Sequence, residues 1–157
     1  MDAAPRLNPL YVLAALGAGC LLTLMVHFNA EAGRFGGALF SSWLAHGTGT
    51  LAAIVFLMAM PGQRAGGVLA RTSAPWWAYL GGASGALTVM LTSTSANSVL
   101  GLSGTLALGL AGQVLFSLAA DFWGLFGLPK RALTARDLGA VLLISSGSLL
   151  IILFGMR

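Results

Sequence analysis

Four polar side chains in this sequence could do chemistry from apolar surroundings: Asn29, His46, Gln113 and Asp121. The last two share the stretch GQVLFSLAADFWGLFGLPKR, residues 112–131. An amide such as Gln113 can hydrogen-bond a bound solute or a neighbouring helix. A carboxyl held in lipid favours its neutral form, so such a group can take up and release a proton. Asp121 also stands close enough to Lys130 and Arg131 to pair with one of them and fix the turn. His46 can accept a proton or bind a solute, or can sit neutral in the packing. Trp43 offers a stacking wall beside it. Glu31 is a further proton-carrying candidate, although Arg34 follows three residues later and can pair with it on a helix surface. Asn29 is placed at the outer mouth. No second His or Cys lies at ligand spacing, so neither a metal nor a cofactor is expected. Cys20 has no partner and reads as a small buried hydrophobe. No nucleophile–base constellation is present, which argues against an enzyme.

These residues must be positioned by helices in a membrane. Only 8% of the 157 residues are charged, against 57% hydrophobic. A soluble domain carries about a quarter charged residues. Leu7–Ala30, Phe35–Gln63, Thr72–Ala120 and Leu138–Met156 contain no Asp, Glu, Lys or Arg. A crossing needs about 20 apolar residues, so these runs hold one, one, two and one. The third run breaks where Asn, Ser and Gly cluster near residues 97–104. The expected fold is therefore all-α, a single domain over 1–157, with five spans at 9–29, 37–60, 75–96, 102–126 and 136–155. Asn8-Pro9 reads as an N-cap followed by proline at the first helical position. Four spans follow the first, which argues against a cleaved signal peptide.

Five spans place the termini on opposite sides. Arg6, Arg64, Arg71, Lys130, Arg131 and Arg136 fall on one side, and Arg34 and Arg157 on the other. That bias puts the N-terminus in the cytoplasm and the C-terminus outside a bacterial inner membrane. The net charge of +4 then reports topology, with no nucleic-acid partner expected. Trp76, Trp77 and Tyr79 form an interfacial anchor. A strongly biased chain has one orientation, so an inverted pair would use a different chain. A homodimer of mixed orientation is the alternative.

Small and polar residues mark contact faces between helices in lipid. Span four carries Thr105, Gly109, Gln113, Ser117 and Asp121 at every fourth position. Span two carries Ser42, His46, Thr50 and Ala53. Span three carries Gly81, Ser84, Gly85, Thr88, Thr92 and Ser95. Such faces can converge on one central space, with His46 and Gln113 at similar depth. In span five, Ser145, Ser146 and Ser148 are expected to bond carbonyls of their own preceding turn.

Three segments together resemble the YdcZ family of five-span proteins in the drug/metabolite transporter superfamily. They are NAEAGRFGGALFSSWLAHGTGTLA from Asn29, WWAYLGGASGALTV from Trp76 and GQVLFSLAADFWGLFGLPKRALTARDLGAVLL from Gly112. The resemblance covers nearly the whole chain and implies half of an inverted-repeat transporter. Two oppositely oriented five-span chains would rebuild the ten-span architecture, with a substrate site at the repeat interface near the midplane. Substrate candidates are Gln113, His46, Ser117, Trp43, Thr88, Thr92 and Asn29. Proton-coupling candidates are Asp121, His46 and Glu31. Two positions depart from the family pattern: Met25 stands where Gln is usual, and His46 where Phe is usual. The implied function is secondary active transport of a small organic metabolite or drug-like compound by alternating access. A passive channel and a non-transporting membrane subunit are the alternatives.

Overall fold

The computed structural model describes residues 8–60 and 75–155, and every regular element among them is helical. Helix α1 is the stretch Pro9–Ala59, α2 is Gly81–Ala96, α3 is Gly101–Trp123 and α4 is Ala135–Gly155. A short 3-10 turn, Trp76–Leu80, leads into α2. Arg6, Arg64, Arg71 and Arg157, half of the charges used for orientation, lie outside the described residues. Three helices, α1, α3 and α4, are long and apolar enough to cross a membrane. The chain forms two compact units, Met1–Thr94 and Ser95–Arg157.

In the first unit, α1 begins as its sequence dictates. The Asn8 side chain accepts from the Leu10 N–H, and Pro9 occupies the first turn, where its missing N–H costs nothing. At 51 residues α1 would extend about 75 Å if straight, far beyond one bilayer crossing. It does not run straight. Gly37 has φ +82° and ψ 172°, a backbone region open only to glycine. The chain doubles back there. Ser41 Oγ donates to the Asn29 carbonyl at 2.6 Å, although twelve residues of straight helix would span about 18 Å. Residues 9–36 and 38–59 are thus two antiparallel arms. The leading arm runs past residue 29, so Asn29 is not at a helix end. It is buried, at 7% exposure. Cys20 is exposed rather than buried, on the outward side of the same arm. Exposed apolar surface of this kind suits a lipid-facing helix.

Alanine at position 37 should cost about 1–3 kcal/mol, since its Cβ is excluded from that backbone region. A thermal unfolding series in detergent micelles checks this. Alanine at Gly19, a helical site with nothing within 4 Å of a new Cβ, should be neutral or slightly stabilising.

In the second unit, α3 and α4 pack antiparallel. Gly104 lies against Ile152, and Ser148 Oγ donates to the Ala107 carbonyl at 2.9 Å in a buried contact. Ser146 bonds within its own helix as expected, to the Leu143 carbonyl. Ser148 departs from that expectation because the small residues of α3 let the two backbones come close. Helix α3 ends at Gly124, which adopts φ +66° and returns its N–H to the Ala120 carbonyl. Thr134 and Asp137 start α4 reciprocally: the Asp137 carboxylate accepts from the Thr134 N–H and hydroxyl, and the Asp137 N–H reaches back to Thr134 Oγ1.

Candidate functional site

The first unit is packed at one end and open elsewhere. At the packed end the Asn29 carbonyl accepts two hydroxyls, from Ser41 in the returning arm and from Ser93 in α2 at 3.1 Å. Ser42 Oγ donates to the Ala86 carbonyl and ties the same arm to α2. Ser41 and Ser93 are 0% and 1% exposed, so only a small side chain fits at either place. Serine suits this junction because it fills little volume and brings its own donor. Away from it the helices separate. Gly17, Gly47, Gly49, Gly81 and Gly82 have no atom within 4 Å of a would-be Cβ.

Between the separating helices lies a cavity of about 340 Å³ lined by Met25, His46, Ser84, Gly85, Thr88 and Val89, among others. The polar stripe expected on span three supplies four of its residues: Gly81, Ser84, Gly85 and Thr88. His46 is fixed here by a hydrogen bond from Nδ1 to the Ser42 carbonyl, 2.7 Å away. A carbonyl can only accept, so Nδ1 carries the proton and Nε2 keeps a free lone pair. Nε2 sits over Gly85, where an added Cβ would approach within 3.2 Å. The glycine is what admits the ring. His46 also borders a second open cavity of about 580 Å³, with Trp43, Thr48, Thr50 and Leu51. Trp43 is 71% exposed and stacks on Phe40 with ring centroids 6.5 Å apart.

Of the other sequence candidates in this unit, Thr92 donates to the Thr88 carbonyl and lies one turn deeper toward the packed end. Asn29 borders a third open cavity, about 570 Å³, beside Met25 and Phe28. Its side-chain Nδ2 is buried without a hydrogen-bond partner. Glu31 is ion-paired with Arg34 at 3.0 Å on the surface. Ser41 and Ser93 were missed by sequence reasoning. Ser93 sits one residue from the stripe Thr88–Thr92–Ser95, so a face-by-face reading passes over it.

In the second unit, Gln113 and Ser117 are exposed, outside the α3 face that packs on α4. Asp121 lies at the start of the basic turn. Its carboxylate is 3.8 Å from Arg131 Nε, and its carbonyl accepts the Arg131 N–H at 2.9 Å. The Arg131 guanidinium is shared with Asp137, 2.8 Å from NH2. Of the two basic residues considered for Asp121, Arg131 is the one that pairs. Lys130 instead lays its stem over Gly124.

The sequence matches the family described as "Putative inner membrane exporter, YdcZ" over residues 10–150. The chain belongs to the YdcZ family. No curated protein and no solved structure matches it at a significant level. For a YdcZ family member, long apolar helices agree with the membrane location that the family's description names. The two departures noted in the sequence, Met25 and His46, line the same 340 Å³ cavity.

Proposed function

We propose that this chain is one half of a secondary active transporter that exports a small organic compound from the cytoplasm. The observation that carries the reading is the 340 Å³ cavity, where His46, Ser84 and Thr88 meet between separated helices of a membrane exporter family member. The fold-back at Gly37 supports counting α1 as two crossings. With the Trp76–Ala96 segment, α3 and α4, the count becomes five. An odd number of crossings and a biased set of basic loops favour a second chain of opposite orientation, a different gene product rather than another copy. Two such halves would enclose a site near the midplane and rock about it. The N-terminus lies in the cytoplasm and the C-terminus outside, in a bacterial inner membrane. Gln113 and Ser117, exposed on α3, are surfaces for the enclosed compound or for the partner. The chain acts without chemical conversion of its cargo.

In this reading His46 carries the coupling proton. Asp121 is engaged by Arg131, which Asp137 holds in turn, and Glu31 is engaged by Arg34. The two roles separate by mutation in membrane vesicles that contain this chain and its partner. His46→Gln should abolish pH-gradient-driven flux, by at least roughly tenfold, the factor that 1.4 kcal/mol represents. Asp121→Asn should leave flux within about twofold, as expected for an exposed pair worth about 0–1 kcal/mol. Flux that never saturates and ignores the pH gradient would remove the transporter reading in favour of a passive pore.

A further inference from the structure

The hydroxyls around His46 share a property that their residue types do not announce: each has already spent its proton. Ser84 Oγ donates to the Gly81 carbonyl at 2.9 Å, and Thr88 Oγ1 to the Ser84 carbonyl at 2.9 Å. On the other side of His46, Thr50 Oγ1 donates to the His46 carbonyl at 2.8 Å. Thr48 Oγ1 donates to the Leu44 carbonyl at 2.9 Å. His46, when its ring is neutral and the coupling proton is absent, commits Nδ1–H to Ser42 and leaves Nε2 as an acceptor. In the 340 Å³ cavity what remains is a set of lone pairs, two hydroxyl oxygens and the imidazole Nε2, while the second space adds the Thr48 and Thr50 oxygens together with one donor, the Trp43 indole N–H. Among the described residues, no charged side chain lines either space. Asn29 Nδ2 is a buried donor without a partner, but Asn29 lines neither of these two spaces.

We infer that the cargo is a hydrogen-bond donor: a small molecule with O–H or N–H groups on an apolar body, an alcohol or an amine, and not an organic anion. The inference rests on the transporter reading for its physiological sense, but the chemistry belongs to the cavity. In the 340 Å³ cavity a donor finds three acceptors in place with no bond to break. A carboxylate or phosphate finds lone pairs facing its own. To be held by a hydroxyl, it would have to pull that hydroxyl off the helix carbonyl it already serves. Met25 and Val89 supply the apolar wall for the rest of the molecule. Selection by unpaired polar groups discriminates more strongly than selection by apolar shape.

Four probes of one shape separate the possibilities: 2-phenylethanol, 2-phenylethylamine, the methyl ether of the alcohol, and phenylacetate. The full chain in lipid nanodiscs, carrying His27→Gln so that His46 is the single imidazole, reports through its ring ¹⁵N resonances. The free protein should show the Nδ1–H tautomer. The alcohol and the amine should shift Nε2 saturably, with the ether and the carboxylate at least roughly tenfold weaker. Thr88→Val, which keeps the shape and removes one acceptor, should bring the alcohol-to-ether ratio toward one. A ring indifferent to all four probes overturns the assignment. So does one that answers to phenylacetate or the ether as strongly as to the alcohol. Vesicle flux is read separately. Donor binding at His46 without flux would remove the transporter reading and leave the site standing. Saturable flux of the ether or carboxylate would do the reverse.

Discussion

Leucine at position 93 should break the first unit apart at its packed end. Ser93 is 1% exposed and donates into a junction where three helical segments meet at the Asn29 carbonyl. A leucine there has no room and no donor. Overpacking a filled site costs about 1–3 kcal/mol, and the neighbouring Ser42 bond to the Ala86 carbonyl ties only the returning arm to α2. Alanine at the same position is the informative control. It removes the hydrogen bond but not the fit, and the Ser41 hydroxyl still serves the Asn29 carbonyl. Hydrogen bonds between helices in membranes average about 0.6 kcal/mol, so Ser93→Ala should be nearly silent. Unfolding in mixed micelles, followed by helical signal against denaturing detergent, measures both. Equal losses for alanine and leucine would mean that the bond, and not the close approach, holds the junction.

The second large effect concerns transport rather than stability. Gly85→Val should reduce flux by tenfold or more while the protein keeps its melting behaviour. A Cβ at position 85 already approaches His46 Nε2 within 3.2 Å. The valine methyls would reach further, into the space where Nε2 offers its lone pair. The ring cannot easily retreat, because its Nδ1 is tied to the Ser42 carbonyl at 2.7 Å. Nor is the position in a tight core: it is half-buried beside an open cavity. The stability of the helix should therefore barely change. Gly82→Val, one position class away with nothing within 4 Å, separates a general cost of valine in the helix from the specific loss at His46. If both variants transport alike, the cavity beside His46 is not on the path.

Much of the helix pattern was legible because lipid imposes it. A chain with so few charges has to hide its backbone in helices, and charge-free runs mark where they lie. The Asn8-Pro9 start could be read from residue chemistry alone. So could the face of span three, since Gly81, Ser84, Gly85 and Thr88 recur at helical spacing and do line one cavity. The junction at Asn29 was not legible. Its acceptor is a backbone carbonyl, which every residue has, and its donors are serines that look like any others in an apolar helix. How far the first helix runs beyond the span expected at 9–29 was not legible for a related reason. Asn29 looks like a terminal residue, yet the helix carries on through Glu31 and Arg34 to the glycine pair Gly36-Gly37. Ser148 misled in the same way. A serine in a helix can bond its own turn or its neighbour, and the sequence holds no sign of which.

Among the described residues, the Asn29 carbonyl is the one acceptor on which three helical segments converge, with the Ser42 bond to Ala86 beside it. From that spot to Pro9 is 20 residues, a lever of about 30 Å. A tilt of about 5° at the fixed point would swing the far tip by roughly 2.6 Å, close to the diameter of a water molecule, by the length of the arm alone. Two hydroxyls that follow one oxygen through a few degrees can keep their bonds, as hydrogen bonds tolerate such angles. The serines at the junction thus make a swivel as well as a fastening, and the gearing runs in one direction: small rotations at Asn29 become passage-sized displacements at the opposite rim.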